Sequence, residues 1–110
     1  MIKVTVMYPD TEGSTFDWEY YLERHIPLVC QRLASALKGA AVDRGLAGDD
    51  PGSRPPFIAL VHLLFDSVEE FLEAFEPHEK EIMGDILNYT NIRPTTQISE
   101  VVNITSDLAE

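Results

Sequence analysis

The chain has 110 residues, 45% of them hydrophobic, and a formal charge of -11 from 19 acidic against 8 basic residues. That length suits one domain with one core, near the size at which burial against a partner helps, and the acidic balance opposes phosphate backbones and anionic lipid surfaces. Nucleic acid and membranes are thus excluded as expected partners, and the single cysteine, Cys30, allows no internal disulfide and points to a reducing, cytoplasmic location.

No apolar run approaches the roughly eighteen residues of a membrane span, and residues 1–7 are too short and too alternating for a signal peptide. Ile2, Val4, Val6 and Tyr8 alternate with Lys3, Thr5 and Met7 until Pro9 stops the pattern, which predicts a first strand. After the turn-rich residues 10–14, Asp17 is an N-cap candidate, with Phe16 before it and Tyr21 at the fourth helical position as a hydrophobic staple. The helix that follows recurs in steps of three and four through Trp18, Tyr21, Leu22, His25, Val29, Arg32, Leu33 and Ala36, with Arg32 snorkelling at the margin. Pro27 inside this pattern removes a bond to the carbonyl of Glu23 and crowds it, so a kink is expected beside His25.

Gly39 to Val42 reads as a short second strand, and the glycines and prolines between Gly45 and Pro56 as an exposed loop. The third strand, Phe57 to Phe65, is apolar on both faces, with His62 its only polar interruption. Ser67, Val68, Glu69 and Glu70 form a capping box for a helix carrying Val68, Phe71, Leu72 and Phe75 on one side, which Pro77 ends or bends. A further helical turn through Ile82 and Met83 leads to the loop Asn88, Tyr89, Thr90, Asn91 and a last strand from about Thr95 to Val102.

The order βαββαβ predicts an α+β, ferredoxin-like domain over residues 1–103, with a four-stranded antiparallel sheet, strands one and three central, the fourth at an edge, and a tail over 104–110. Two helices cover only one face of such a sheet. Leaving three or four apolar side chains of strand three wet would forfeit several kcal/mol at roughly 25 cal/mol per Å², so a homodimer with an isologous sheet contact is expected.

Several separated segments resemble one family: Tyr20-Tyr21-Leu22-Glu23-Arg24-His25-Ile26-Pro27-Leu28-Val29, the Gly45-Leu46-Ala47-Gly48 loop, Phe65-Asp66-Ser67-Val68-Glu69-Glu70-Phe71, and Glu81-Ile82-Met83-Gly84-Asp85 followed by Asn88-Tyr89-Thr90. Together they are similar to the EthD family over about Met1 to Val102. The resemblance implies a dimeric α+β barrel in which two ferredoxin-like sheets face each other, each monomer keeping a pocket between its sheet and its helices. It implies a degradation or biosynthesis role on an apolar, oxygen-bearing metabolite. The founding member is tied to oxidative breakdown of a fuel ether, short members are called reductases, and the wider barrel group includes cofactor-independent monooxygenases, lactone isomerases, polyketide cyclases and haem-binding proteins. Fold alone does not choose among these, or between an enzyme and a non-catalytic accessory binder.

The candidate residues are therefore weighed one by one. His25, on the buried helix face beside the proline, is either a general acid or base or a core histidine bonded to a freed carbonyl. His78 with Glu81 and Asp85 at i+3 and i+7 makes a one-faced cluster that is either catalytic or a solvated acidic helix. Asn88 and Tyr89 either bind a carbonyl oxygen or enolate or brace the turn. Tyr21 shares the face of His25, and His62 meets either a ligand or the partner subunit. His25, His78 and Asp85 are thus the catalytic candidates, and Tyr21, His62, Asn88 and Tyr89 the substrate-binding ones. Cys30 has no basic neighbour at i±4 to stabilise a thiolate. Three histidines without HxxxH or paired-cysteine spacing give no metal ligand set, and no dinucleotide fingerprint or phosphate loop is present, so no cofactor is expected.

Overall fold

In a computed structural model that describes residues 1–105, the chain forms four strands and three helical segments in the predicted order. The strands are β1 (Ile2–Pro9), β2 (Gly39–Arg44), β3 (Phe57–Phe65) and β4 (Thr95–Glu100). They form one antiparallel sheet in the order β2-β3-β1-β4, with the two most apolar strands in the middle and the Thr- and Gln-bearing β4 at an edge. β2 runs two residues beyond the expected Val42, because Asp43 and Arg44 pair with Leu60 and Ala59. The expected tail, 104–110, falls largely outside the described residues. No helix among the described residues is long and apolar enough to cross a membrane.

The first helix, α1 (residues 18–33), starts as predicted. Asp17 accepts from the backbone N–H of Tyr20, and the Phe16 and Tyr21 rings meet at 4.9 Å. α1 is not uniform. A short α turn at Trp18–Tyr20 opens into a π turn at Tyr21–His25, closed by the Ile26 N–H bonding back to the Tyr21 carbonyl, and the α ladder resumes over Ile26–Leu33. Pro27 falls in the first turn of that resumed segment, where its missing N–H costs nothing. The expected kink is thus accommodated by widening the helix for one turn. Residues 34–36 finish as a 3₁₀ turn.

The second layer continues with α2 (Val68–Phe75), capped by Ser67 accepting from the Glu70 N–H. A 3₁₀ turn at Glu76–His78, set by Pro77, leads to α3 (Glu79–Gly84) and a last 3₁₀ turn at Ile86–Asn88.

The alternation of the central strands divides their side chains. Val4, Tyr8, Ala59, Val61, Leu63 and Phe65 are buried beneath the helices with Tyr21, Val29, Leu33, Phe71, Ile82 and Ile86. On the opposite face Met7, Ile58, Leu60, His62 and Leu64 stay half-buried, with no layer of the described residues above them. The strand expected to be apolar on both faces has one face covered and one open.

The loop between β2 and β3 returns tightly at Gly45, whose N–H donates to the Ile58 carbonyl. A Cβ built there would lie 2.1 Å from the Phe57 carbonyl oxygen and 2.8 Å from Cβ of Pro55. Gly45→Ala is therefore expected to lower stability by about 1–3 kcal/mol, as overpacking typically does. Urea unfolding would measure it, and Gly52→Ala, in a turn with open space around it but a φ of +79°, is a comparison dominated by backbone strain instead of collision.

Candidate active site

A cavity of ≈ 560 Å³ lies between the helix-facing side of the sheet and the helices, within the range that holds a drug-sized ligand. Its walls are mostly aliphatic and aromatic. Val4, Val6, Val61 and Leu63 form the floor, and Ile26, Val29, Phe71 and Ile82 the helix side. Of the lining residues, Leu72, Glu76, Glu79, Lys80, Met83 and Thr96 remain exposed, so the cavity opens where α2 and α3 face β4.

The buried end carries the polar groups. His25, only 5% exposed, contributes to the lining beside Tyr8 and Tyr21. Its Nδ1 lies 2.9 Å from Oδ2 of Asp85, just beyond α3. The other carboxylate oxygen, Oδ1, accepts from the Tyr20 hydroxyl at 2.6 Å and from the Asn88 amide at 2.9 Å, and Asn88 also donates to the Tyr20 oxygen at 3.3 Å.

The π turn explains why Tyr20 and His25 meet on one carboxylate. Residues five apart on an α-helix of 3.6 residues per turn point well away from each other, whereas a turn closed by an i→i+5 bond brings them to the same side. Tyr20 immediately precedes the widened turn and His25 ends it. Asp85 is held in turn by the helical stretch whose Asn88 N–H bonds the Asp85 carbonyl.

The electrostatics fix the proton positions. Burial works to raise the Asp85 carboxyl, but hydrogen bonds from Tyr20, Asn88 and His25 outweigh it, and the group stays below its ordinary value as a carboxylate. A carboxylate only accepts, so His25 presents Nδ1–H to it. Burial lowers the His25 pKa from the ordinary 6.5 against the opposing pull of Asp85, so the ring is neutral at pH 7. Among the described residues no buried side-chain nitrogen or oxygen lacks a partner and none bonds Nε2, so that nitrogen of the cavity-lining His25 is not fully buried. An unprotonated nitrogen thus faces an apolar chamber, with a carboxylate behind the ring to receive the charge that protonation would create.

A second polar element adjoins the first. The hydroxyls of Tyr8 and Tyr89 lie 2.7 Å apart. The Tyr89 ring contacts the His25 ring at 4.7 Å between centroids, and Tyr21 stacks on His25 at 5.5 Å. The hydroxyls of Tyr8, Tyr21 and Tyr89 are all pushed above their ordinary value, chiefly by burial, and stay protonated. Tyr20 is also raised, first by its bond to Asp85.

The predicted site residues divide accordingly. His25, Asp85, Asn88, Tyr21 and Tyr89 gather at the inner end. Asn88 bonds Asp85 and Tyr20, and Tyr89 bonds Tyr8. His78 does not join them. The 3₁₀ turn at Glu76–His78 sets it on a separate shallow groove beside Arg32, Lys38 and Glu73, and the expected cluster on one helix face separates. Glu81 makes a bidentate pair with Arg32 at 2.7 and 3.0 Å, so Arg32 is anchored instead of snorkelling, while Asp85 serves His25. His62 lies on the open sheet face, bonded to Thr5 at 3.3 Å and Asp43 at 3.0 Å, and does not reach the cavity. Cys30 is a free, partly exposed thiol. Among the described residues no group of three or more His, Cys, Asp or Glu side chains gathers as a metal site. Neither Tyr20 nor Tyr8 is among the residues predicted for the site, although Tyr20 opens the first family-like segment. Tyr20 lies off the helical face counted at 3.6 residues per turn, and Tyr8 reads as one more strand residue.

The EthD domain model matches residues 10–92. This chain belongs to the EthD family. An EthD-like protein from Ralstonia eutropha JMP134 is 52% identical, with 96% of each chain covered and a TM-score of 0.91. An EthD family protein from Bacillus halodurans C-125 is 22% identical over 93% of this chain and 99% of its own, at a TM-score of 0.72. A protein from Arabidopsis thaliana shares the fold at 13% identity and a TM-score of 0.67, with 96% and 99% covered. No curated protein sequence matches the chain. The EthD family and the ferredoxin-like fold of the single chain expected from the sequence are thus established.

The depressed His25 pKa has a consequence for stability. As pH falls, the unfolded chain takes up this proton before the folded one does, so the contribution is complete above the ordinary 6.5 and is lost as pH drops through the lower folded value. Asp85, also depressed, adds a further loss at pH below its ordinary 3.8. Urea unfolding should show stability falling as pH drops below about 6.5, with a shallower fall in His25→Gln, whose amide does not titrate.

Proposed function

We propose that this EthD family protein is a small-molecule enzyme that uses His25 as general base, positioned by Asp85, on an apolar, oxygen-bearing metabolite. The observation that carries the reading is the pairing of His25 Nδ1 with Asp85 at 2.9 Å in a ring that lines a ≈ 560 Å³ cavity and whose other nitrogen has no partner among the described residues. A core histidine serving packing alone has no need of a second nitrogen left open on a chamber. Tyr20 and Asn88 hold Asp85 in place, so the base keeps one tautomer and one orientation. Proton transfer of this kind serves isomerisation, cyclisation or dehydration, and it also serves cofactor-free oxidation of a substrate that must first lose a proton. The apolar walls exclude water and strengthen the charge interactions made during transfer.

The protein acts as a homodimer in this reading. Met7, Ile58, Leu60 and Leu64 line an open sheet face, and a second copy of that face would bury them, worth several kcal/mol at roughly 25 cal/mol per Å². His62, bonded to Thr5 and Asp43 on the same face, then belongs to the interface. In this reading the protein works in a reducing, cytoplasmic setting, where its single cysteine, Cys30, stays a free thiol.

Native mass spectrometry of the purified protein should identify the retained ligand. With that ligand or its precursor as substrate, His25→Ala is expected to lower turnover about a hundredfold or more while the thermal transition stays cooperative. Unchanged kinetics in the folded variant would leave a non-catalytic accessory binder as the better description. Light scattering at micromolar concentration should give twice the monomer mass, and a monodisperse monomer would contradict the face-to-face dimer.

A further inference from the structure

We propose that the Tyr8 hydroxyl is the donor that binds the substrate's carbonyl oxygen, and that the substrate is therefore a neutral, apolar ketone or related carbonyl compound with an acidic adjacent C–H. This deepens the preceding reading and rests on His25 as the base.

The argument begins with hydrogen-bond accounting around Tyr8. Tyr8 is 2% exposed and lines the cavity, and its partner across the sheet is Ala59, the smallest residue in the helix-facing row of β3, which leaves room for the ring. Its oxygen lies 2.7 Å from that of Tyr89. Tyr89 is 3% exposed and does not line the cavity, and its hydroxyl has no other hydrogen-bond partner among the described residues. A buried O–H must find an acceptor. Tyr89 therefore donates to Tyr8, and Tyr21, the other hydroxyl bonded to Tyr8, acts in the same donor sense, lowering the Tyr8 pKa while its own is raised, so the proton of Tyr8 is left to turn into the cavity. A hydroxyl that accepts one bond is polarised into a stronger donor for the next.

The donor and the base lie at the same end. His25 contacts Tyr89 at 4.7 Å between centroids, Tyr89 bonds Tyr8, and Tyr21 lies between the rings of His25 and Tyr8 at 5.5 and 5.9 Å. Tyr8 and His25 line the same cavity, and the proposal sets the substrate's carbonyl oxygen on Tyr8 with the carbon next to it at Nε2. In the step this permits, Nε2 takes the proton from that carbon, and the C–H electron pair becomes the C=C bond of the enolate. The carbonyl π pair moves onto the oxygen, where Tyr8 O–H holds it. Return of the same proton from Nε2 to the original carbon, or to a conjugated one, closes the cycle with no redox partner. Asn88 and Tyr89, the residues that the sequence pointed to for oxyanion binding, act one position further back, through Asp85 and Tyr8.

The test uses 2-tetralone, a neutral apolar ketone, with loss of its α-hydrogens to D₂O followed by ¹H NMR in the presence of the full chain. Wild type is expected to accelerate exchange beyond an equal concentration of imidazole, and Tyr8→Phe, which keeps the packed ring, to lower the protein-dependent rate about a hundredfold. Tyr89→Phe removes only the backing bond and should cost about tenfold or less. If His25→Ala abolishes exchange but Tyr8→Phe does not, or if Tyr21→Phe alone does so, the assignment of Tyr8 is overturned while the base survives. If His25→Ala changes nothing, the base itself is wrong. Binding gives a readout that does not depend on a variant folding. Wild type should bind 2-naphthol, whose hydroxyl mimics an enolate oxygen, at least about tenfold more tightly than naphthalene, and equal affinity, or no exchange by wild type, overturns the proposal.

Discussion

A buried imidazole can offer one nitrogen to a ligand only if the other is held, and in this chain the holding group is a single carboxylate, Asp85, 2.9 Å from Nδ1 of His25. That contact crosses from the first helix to the end of the helical stretch on the other side of the cavity, so it also ties together the two halves of the layer above the sheet. The bidentate pair of Arg32 with Glu81 makes a second crossing between the same elements, one turn earlier on the α3 side, but it is exposed and contributes little beside a buried bond. His25, held by Asp85, lines the inner end of the cavity between them with Tyr8 and Tyr21.

The geometry of that contact depends on a local departure from regular helix. An α-helix through residues 18–33 would turn Tyr20 away from the side that carries His25. The π turn at Tyr21–His25 brings both to the same carboxylate, and Pro27 sits where the resumed helix needs no N–H from it. A sequence feature that looks like damage to a helix thus becomes the means of gathering two donors. Asp85 gains enough from its three hydrogen bonds to remain ionised although partly buried, which keeps Nδ1 protonated and Nε2 bare.

The architecture was legible in the sequence because strand periodicity and the caps are local. Val4, Tyr8, Val61 and Leu63 alternate as a half-covered sheet must, and Asp17 and Ser67 cap the helices they were expected to cap. The site was legible only in part. His25 stood out by its face and by its neighbour Pro27, and Asp85 by its motif, but their pairing spans 60 positions and no local pattern encodes it. Helical spacing groups His78 with Glu81 and Asp85, but Pro77 breaks the spacing rule just before that helix starts. Tyr20 was hidden by the assumption of 3.6 residues per turn. His62 was undecidable from periodicity because both faces of β3 are apolar, and only the position of the helices assigns it to the open face.

The central claim is a protonation state, and it can be observed without knowing the substrate. Long-range ¹H–¹⁵N correlation of the His25 ring at neutral pH should show a neutral imidazole with its proton on Nδ1 and an unprotonated Nε2. A proton on Nε2, or a ring charged at that pH, would contradict the account, since neither form leaves a base facing the cavity.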